Sequence, residues 1–242
     1  MTQTVGGDRP GGRSVRIADC TGLWRRTLLV DGDGSEDKST DVRWLQGITA
    51  FVDLRRPAPR PDFGGAQDGP KLTACQRDWL SSQDGFAGRL GQRGDVFEWS
   101  HFMRLQPPGP HPDAGRMRWR GDTLVEVGVH EDYVEHWARD DGPVSPCWAL
   151  RADAPDGSEA LLLRVGDLFG WARRAAHHMD ISLGTVVDDG WLITDSALPH
   201  REGRQLGPRL HVNELSTEDV DDGGKRKVRR WNVKDSEGIV EL

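Results

Sequence analysis

The amino-acid sequence predicts an all-β protein, with about 10 to 13 mostly antiparallel strands that form one large barrel or two fused barrels. Two features predict this fold. Apolar and polar residues alternate with a period of two through most of the chain, and tight-turn dipeptides separate the alternating runs. Helical periodicity is rare, so we expect only one or two short helices.

Four long alternating runs come first. LWRRTLLVD (23–31) places on one face Trp24, Arg26, Leu28 and Val30. DVRWLQGITAFVDLRRP (41–57) is long enough for one bent strand or two. DVFEWSHFMRLQPP (95–108) places on one face Phe97, Trp99, His101, Met103 and Leu105. GDTLVEVGV (121–129) sets three valines against a face made of Leu124, Glu126 and Gly128.

Shorter strand candidates follow after residue 146: CWALRAD, EALLLRVGD, DISLGTVV, GWLITDSA, KVRRWNVKD and GIVEL. The turn signals among them are Asp156-Gly157, Asp189-Gly190, Gly223-Gly224 and Glu237-Gly238. GDLFGWARRAAHHM (166–179) fits either a strand or a helix. LTACQRDWLSSQDG (72–85) predicts a helix that stops at Gly85, because its apolar residues have helical spacing.

These runs divide the chain into three parts. Residues 1–15 are Gly-rich and polar and predict a disordered arm. Residues 16–140 predict a first barrel, and residues 141–242 a second barrel or a continuation of the first. The Pro-rich segment 55–70 predicts a surface loop or a lid.

Composition excludes several classes of partner. The net charge of −7 over 242 residues argues against nucleic acid, which needs a basic surface. The N-terminus does not resemble a signal peptide, and no apolar run approaches the ~20 residues that span a bilayer, so we expect no membrane partner and a cytoplasmic protein. The three cysteines, without C-x-x-C spacing, are expected to be reduced thiols. The sequence leaves open whether the protein forms a homodimer.

The stretch VGVHEDYVEHW (127–137) concentrates histidines and acids but does not predict a metal site. Its histidines, six positions apart, do not share a helix face as H-E-x-x-H requires. As strand, turn and strand, it places Tyr133, Glu135 and Trp137 on one face. With Glu126, these residues are either structural or, if the barrel is hollow, face a cavity. We expect neither a metal nor a cofactor.

His101 is the strongest candidate for a functional residue, because it lies between Trp99 and Met103 on a predicted apolar face. A buried neutral histidine needs partners for both ring nitrogens. His101 is therefore either a satisfied core residue or an acid–base group in a Trp-lined cavity. His177 and His178 could serve as haem ligands, but no third ligand stands at a recognisable spacing, so we rank this option last.

A series of short motifs in fixed order resembles bacterial lipocalin-like proteins: LWRRTLL, VRWLQGITAFVDLRRP, QDGFAG, LVEVGVHEDYVEHW and GWLITDSALP. The R-W-hydrophobic-Q-G stretch also resembles the fungal Hri family. The resemblance covers roughly residues 20 to 200 and implies a calycin-like fold with a cavity for a small, mostly apolar ligand. It implies no reaction. The matching positions are Trp24, Arg25, Arg26, Trp44, Gln46, Asp53, Arg55, Gln106, Glu126, Tyr133, Glu135 and Trp137. Where the resemblance leads us to expect an arginine at 101 and an acid near 104, this chain has His101 and Arg104.

Two functions follow. In the first, the barrel binds an apolar or aromatic small molecule through Arg26, Trp44, Gln46, Arg55, Trp99, Glu135 and Trp137. In the second, it is a cofactor-independent isomerase, cyclase or lyase of biosynthesis, in which His101 acts with Glu126 and Tyr133. Barrels serve both purposes, so the fold does not choose between them.

Overall fold

The computed structural model describes residues 14–64, 72–175, 178–188, 190–220 and 226–242. Most of the predicted arm, the end of the predicted lid and His177 lie outside these ranges. Within them the chain forms two antiparallel β-sheets. The strands are β1 (Gly22–Asp31), β2 (Glu36–Asp37), β3 (Asp41–Gln46), β4 (Ala50–Arg56), β5 (Asp84–Arg93), β6 (Val96–Arg104), β7 (Ala114–Arg120), β8 (Thr123–Gly128), β9 (Tyr133–Arg139), β10 (Cys147–Asp153), β11 (Glu159–Val165), β12 (Leu168–Ala175), β13 (His178–Val187), β14 (Gly190–Ser196), β15 (Arg209–His211), β16 (Glu214–Val220) and β17 (Arg226–Glu237).

The first sheet closes into a barrel. Its order is β1-β3-β4-β5-β6-β7-β8-β9, and β9 pairs back with β1 from Trp24 opposite Arg139 to Asp31 opposite Tyr133. Closure leaves the eight strands without a free edge. The short strand β2 lies outside this ring, paired with the end of β1. The interior near one end is filled by apolar side chains that include Trp24, Phe97 and Leu124.

The second sheet is an open half-barrel with the order β14-β13-β12-β11-β10-β17-β16-β15. One apolar cluster of this sheet is its own core and contains Trp148, Trp171, Trp191 and Trp231. A different cluster joins it to the barrel, where Leu45, Val52 and Leu54 of the barrel pack with residues that include Leu163 and Ile181. The aromatic content of the chain is thus split between two separate interiors.

The predicted all-β class is confirmed, and the described chain has more strands than the sequence predicts. The strand β5 carries three glycines, which disfavour strands on their own, so its pairing with β4 and β6 holds it extended. The ambiguous segment after residue 166 is the strand β12, while GIVEL forms no strand beyond Glu237. Val15, assigned by the sequence to the disordered arm, is buried in the barrel core.

One α-helix is present in the described residues. The helix α1 (Ala74–Ser82) begins after Thr73, whose hydroxyl accepts from the Gln76 amide, and Gln76 returns the bond in a capping box. The helix ends before Gln83, two residues earlier than the predicted Gly85. Its Trp79 is buried against Phe63. No helix in the described part of the chain combines the length and the apolar character that a membrane span requires.

Candidate functional site

The barrel is hollow at one end. A cavity of about 320 Å³ opens there, near the lower limit of the ~300–1,000 Å³ typical of small-molecule sites. Three tryptophans line its apolar side, with the ring of Trp44 lying 5.8 Å from that of Trp99 and 5.6 Å from that of Trp137, both edge-on. The remaining lining residues are mostly polar or charged. The cavity is therefore less apolar than the sequence led us to expect.

Nine of the ten residues that the sequence singled out line this one cavity: Arg26, Trp44, Arg55, Trp99, His101, Glu126, Tyr133, Glu135 and Trp137. Gln46 does not. It is fully buried beyond the cavity, where its amide accepts from Trp44 Nε1 at 3.0 Å and donates to turn carbonyls at Gly47, Thr49 and Ala50. These hydrogen bonds fix the turn between β3 and β4.

Two bulges decide which side chains enter the cavity. In β6, His101 stands opposite Gly88 and Met103 opposite Ala87, so Phe102 is an extra residue. Beyond it the strand changes face. Met103 packs outside the barrel against the second sheet, and Arg104 turns into the cavity. The predicted single face from Phe97 to Leu105 is therefore wrong after His101.

A second bulge reverses the faces of strand β1. Arg26 pairs with Trp137 and Leu28 with His136, which leaves Thr27 as an extra residue. As a result Leu29 and Asp31 line the cavity, whereas the alternation assigned Leu28 and Val30 to the face of Trp24 and Arg26. An extra residue inserts one step into a period of two, so every later side chain points the other way.

His101 is held in a defined orientation. Its side chain is 2% exposed, and its ring stacks on Phe86 with 4.4 Å between centroids. Arg104 Nη2 lies 2.7 Å from Nδ1. Because a guanidinium only donates, Nδ1 accepts and the proton of the neutral ring is assigned to Nε2. Nε2 is 3.0 Å from Asp113 Oδ2 but at an angle too oblique for a hydrogen bond, so this donor is unsatisfied among the described residues.

Glu126 lies at the centre of a second group. It is 3% exposed and accepts from Tyr133 Oη at 2.7 Å and from Trp137 Nε1 at 3.1 Å. It stands directly opposite Glu135 on the neighbouring strand. Burial and the nearby charge of Glu135 raise the pKa of Glu126 well above its usual value. The acidic face of β8 thus points inward, and Val125 packs on the outside.

The arginines of the cavity are already paired. Arg26 donates to Glu135 Oε1 at 2.8 Å and to Asp37 Oδ2 at 2.7 Å. Arg55 donates to Asp53 Oδ1 at 2.9 Å and lies over the ring of Phe86. Burial raises the pKa of Asp53, although Arg55 acts in the opposite direction.

Several lining residues were not predicted as site residues, among them Asp31, Asp84, Phe86, Arg104 and Asp113. Asp84 and Phe86 lie in β5, a strand that the sequence did not predict. Arg104 and Asp31 follow bulges, and Asp113 lies in the loop between β6 and β7. The acid-rich turn before Tyr133 was the sequence signal that could have identified further lining residues. His130 of this turn lines the cavity, and its ring stacks on that of His111 with 5.7 Å between centroids.

In the described ranges no three His, Cys, Asp or Glu side chains form a group that could hold a metal ion. The arrangement offers instead an aromatic floor, buried carboxyl groups and one unsatisfied imidazole donor. Such a set can orient a small molecule or exchange a proton with it.

Comparison with known proteins identifies the fold alone. No protein-family model matches the chain, and no curated protein sequence matches it. A similar solved structure is that of the uncharacterized protein YLR301w from Saccharomyces cerevisiae, with a TM-score of 0.53 and 12% sequence identity over 89% of this chain and 98% of that chain. At this identity the likeness shows a shared fold and no more.

Proposed function

We propose that the protein binds a small organic molecule inside the first barrel. One observation carries the proposal: a closed eight-stranded barrel retains a preformed cavity in which nine separately predicted residues converge. Barrels of about eight strands have room for one small ligand, and a rigid preformed site lowers the cost of ordering on binding. The ligand's apolar part would contact the Trp44–Trp99–Trp137 floor, and its polar part the charged wall.

We also propose that the protein acts in the cytoplasm without nucleic-acid or membrane partners, as its acidic charge and lack of long apolar runs suggest. The lipocalin-like resemblance, including that to the Hri family, belongs to the same proposal. It is supported by the closed eight-stranded barrel.

The test is native mass spectrometry of protein purified from its own host, compared with a variant whose cavity is filled. Ala114 is buried beside the cavity, so Ala114→Phe should occupy part of that space. Val187→Phe, at a position 60% exposed, is the matched control. A bound small molecule should accompany the wild type and Val187→Phe but not Ala114→Phe. Equal occupancy in all three would overturn the proposal.

A second candidate function is acid–base catalysis. It is favoured by His101 and Glu126 lining one cavity, since a neutral imidazole and a carboxyl of raised pKa can exchange protons with a bound molecule. Host metabolite extract incubated with the protein should then lose one compound over time. His101→Gln should abolish this loss, whereas His211→Gln, at an exposed position, should not. If no compound changes, the barrel is a binding protein only.

A further inference from the structure

We infer that the barrel cavity takes a small organic cation, a protonated amine with an apolar or aromatic body and an oxygen acceptor. This inference rests on the proposed binding function and specifies its ligand. Its first support is the imbalance of charge on the wall. Seven carboxyl side chains line the cavity, against three guanidinium groups. A cavity of low dielectric with such an excess attracts positive charge and rejects anions.

The second support is the pairing of these charges. Each lining arginine already donates to a partner in the chain: Arg26 to Glu135, Arg55 to Asp53 and Arg104 to His101. Glu135 and Asp53 neutralise Arg26 and Arg55, so an anionic ligand would have to displace them, whereas Arg104 donates to an uncharged ring and keeps its charge. Two of the three positive groups are thus already neutralised before a ligand binds.

Four of the seven carboxyl groups, in contrast, form no ion pair within 4.0 Å among the described residues: Asp31, Asp84, Glu126 and Glu131. Of these, only Glu126 and Asp84 are shielded from solvent, since Asp31 and Glu131 are exposed. Glu126 accepts only from uncharged donors, Tyr133 and Trp137. Asp84 accepts from the backbone amide of Gly85. Burial raises the pKa of both. A bound ammonium group would supply the missing positive charge and lower the pKa of both carboxyl groups.

The third support is aromatic. The rings of Trp44, Trp99 and Trp137 line the same cavity as the carboxyl groups, together with Phe51 and Phe86. The face of an aromatic ring attracts cations, most strongly for tryptophan. Phe86 already holds the Arg55 guanidinium 5.0 Å from its centroid, so a cation over a ring occurs within this wall.

The fourth support comes from His101 and concerns the uncharged end of the ligand. The His101 side chain is 98% buried, lines the cavity and directs a protonated Nε2 that lacks a well-aligned acceptor among the described residues. A buried donor without an acceptor is costly. A hydroxyl or carbonyl oxygen on the ligand that displaces the neighbouring Asp113 carboxylate would accept this hydrogen bond, which is why an amino alcohol or amino ketone fits better than a simple amine.

The experiment is isothermal titration calorimetry at pH 7.5 and low salt with four probes of nearly equal size: 2-amino-1-phenylethanol, 2-phenylethylamine, 2-phenylethanol and 3-phenylpropionate. We expect the two amines to bind at least about tenfold more tightly than the acid, and the amino alcohol to be the tighter of the two. Amine binding should weaken with added salt, which is measured by repeating the titration at higher ionic strength.

Asp84→Asn should weaken amine binding about fivefold or more and leave 2-phenylethanol unaffected. Glu214→Gln, at a position in the second sheet whose side chain is 43% exposed, is the control that should change neither. His101→Phe should remove the advantage of the amino alcohol over the simple amine. Melting curves establish that each variant is folded before titration.

Two outcomes overturn the inference: 3-phenylpropionate binding as tightly as the amines, or none of the four probes binding. The proposed function is judged separately by the mass spectrometry of wild type and Ala114→Phe. A co-purified neutral or anionic molecule would thus preserve the binding function and reject the cation.

Discussion

Arg104 Nη2 and His101 Nδ1 are 2.7 Å apart inside the barrel, although the two residues lie three positions apart on one strand. In a regular strand, side chains three positions apart point to opposite faces. The bulge at Phe102 removes this opposition, and Gly88 on the facing strand makes it sterically feasible. A Cβ atom at Gly88 would overlap the Ser100 carbonyl oxygen. The position of His101 and Arg104 in the cavity thus depends on Gly88, which has no functional side chain of its own.

Gly88→Ala should therefore destabilise the barrel and displace His101. Because the clash is with backbone atoms, the strand has to shift, and we expect unfolding in urea to show a loss of about 1–3 kcal/mol. Gly91→Ala in the same strand is the matched control, since its nearest neighbour, Glu98 O, would lie 3.8 Å away, an ordinary contact. Equal stabilities of the two variants would contradict this account of the bulge.

Glu126 should make stability depend on pH. Its pKa is raised in the folded protein, so above its ordinary value of 4.5 the folded state keeps a proton that the unfolded chain has lost. The free energy of unfolding must then fall as pH rises from about 4.5 toward the folded pKa. Below that window the contribution is fully present.

Glu126→Gln removes this titration, so the wild-type curve should fall more steeply than that of the variant across the window. At pH 4, below this window, the variant is expected to be about 1–2 kcal/mol less stable than the wild type, because an amide nitrogen cannot accept from Trp137 Nε1, and this difference should shrink as pH rises. Parallel curves for the two proteins, measured by chemical denaturation from pH 4 to 8, would refute the raised pKa.

Arg56 should stabilise the contact between the two sheets. This barrel residue is 8% exposed in its side chain and pairs with Asp195 of the second sheet, as well as with Asp41 and Glu202. Arg56→Met leaves the buried carboxylate of Asp195 with Arg43 as its remaining cation among the described residues, and we expect a loss of about 3 kcal/mol. Arg60→Met removes an exposed partner of the same Glu202 and should cost less than about 1 kcal/mol in the same urea titration. A smaller cost for Arg56→Met than for Arg60→Met would reject this role.

The three cysteines should differ in reactivity. Burial raises the pKa of Cys20 to about 12 and that of Cys147 to about 11, while Cys75 is exposed on α1. Since the thiolate is the reactive form, an aromatic disulfide reagent at pH 8 should modify one thiol rapidly in the folded protein and three in denaturant. Cys75→Ser should abolish the fast phase, and persistence of that phase would show that another thiol is accessible.

Much of the site was predictable because period-two alternation reports which side chains share a face of a strand. It grouped Tyr133 with Glu135 and Trp137, and all three line the cavity. It also grouped Trp99 with His101. It could not decide which face of β8 points inward, because one face carries valines and the other carries Glu126, and either is acceptable in a hollow barrel.

The sequence by itself determined an all-β chain, its strand faces and the residue types available for a site, because alternation and turn chemistry are local properties. Tertiary structure decided the rest. The bulges at Thr27 and Phe102 depend on the partner strands, and ring closure depends on pairing between β1 and β9, which lie more than a hundred residues apart. The hidden strand β5 contributes Asp84 because its neighbours hold it extended. These long-range pairings bring side chains from separate strands together, so that they line one cavity with both charged groups and tryptophans.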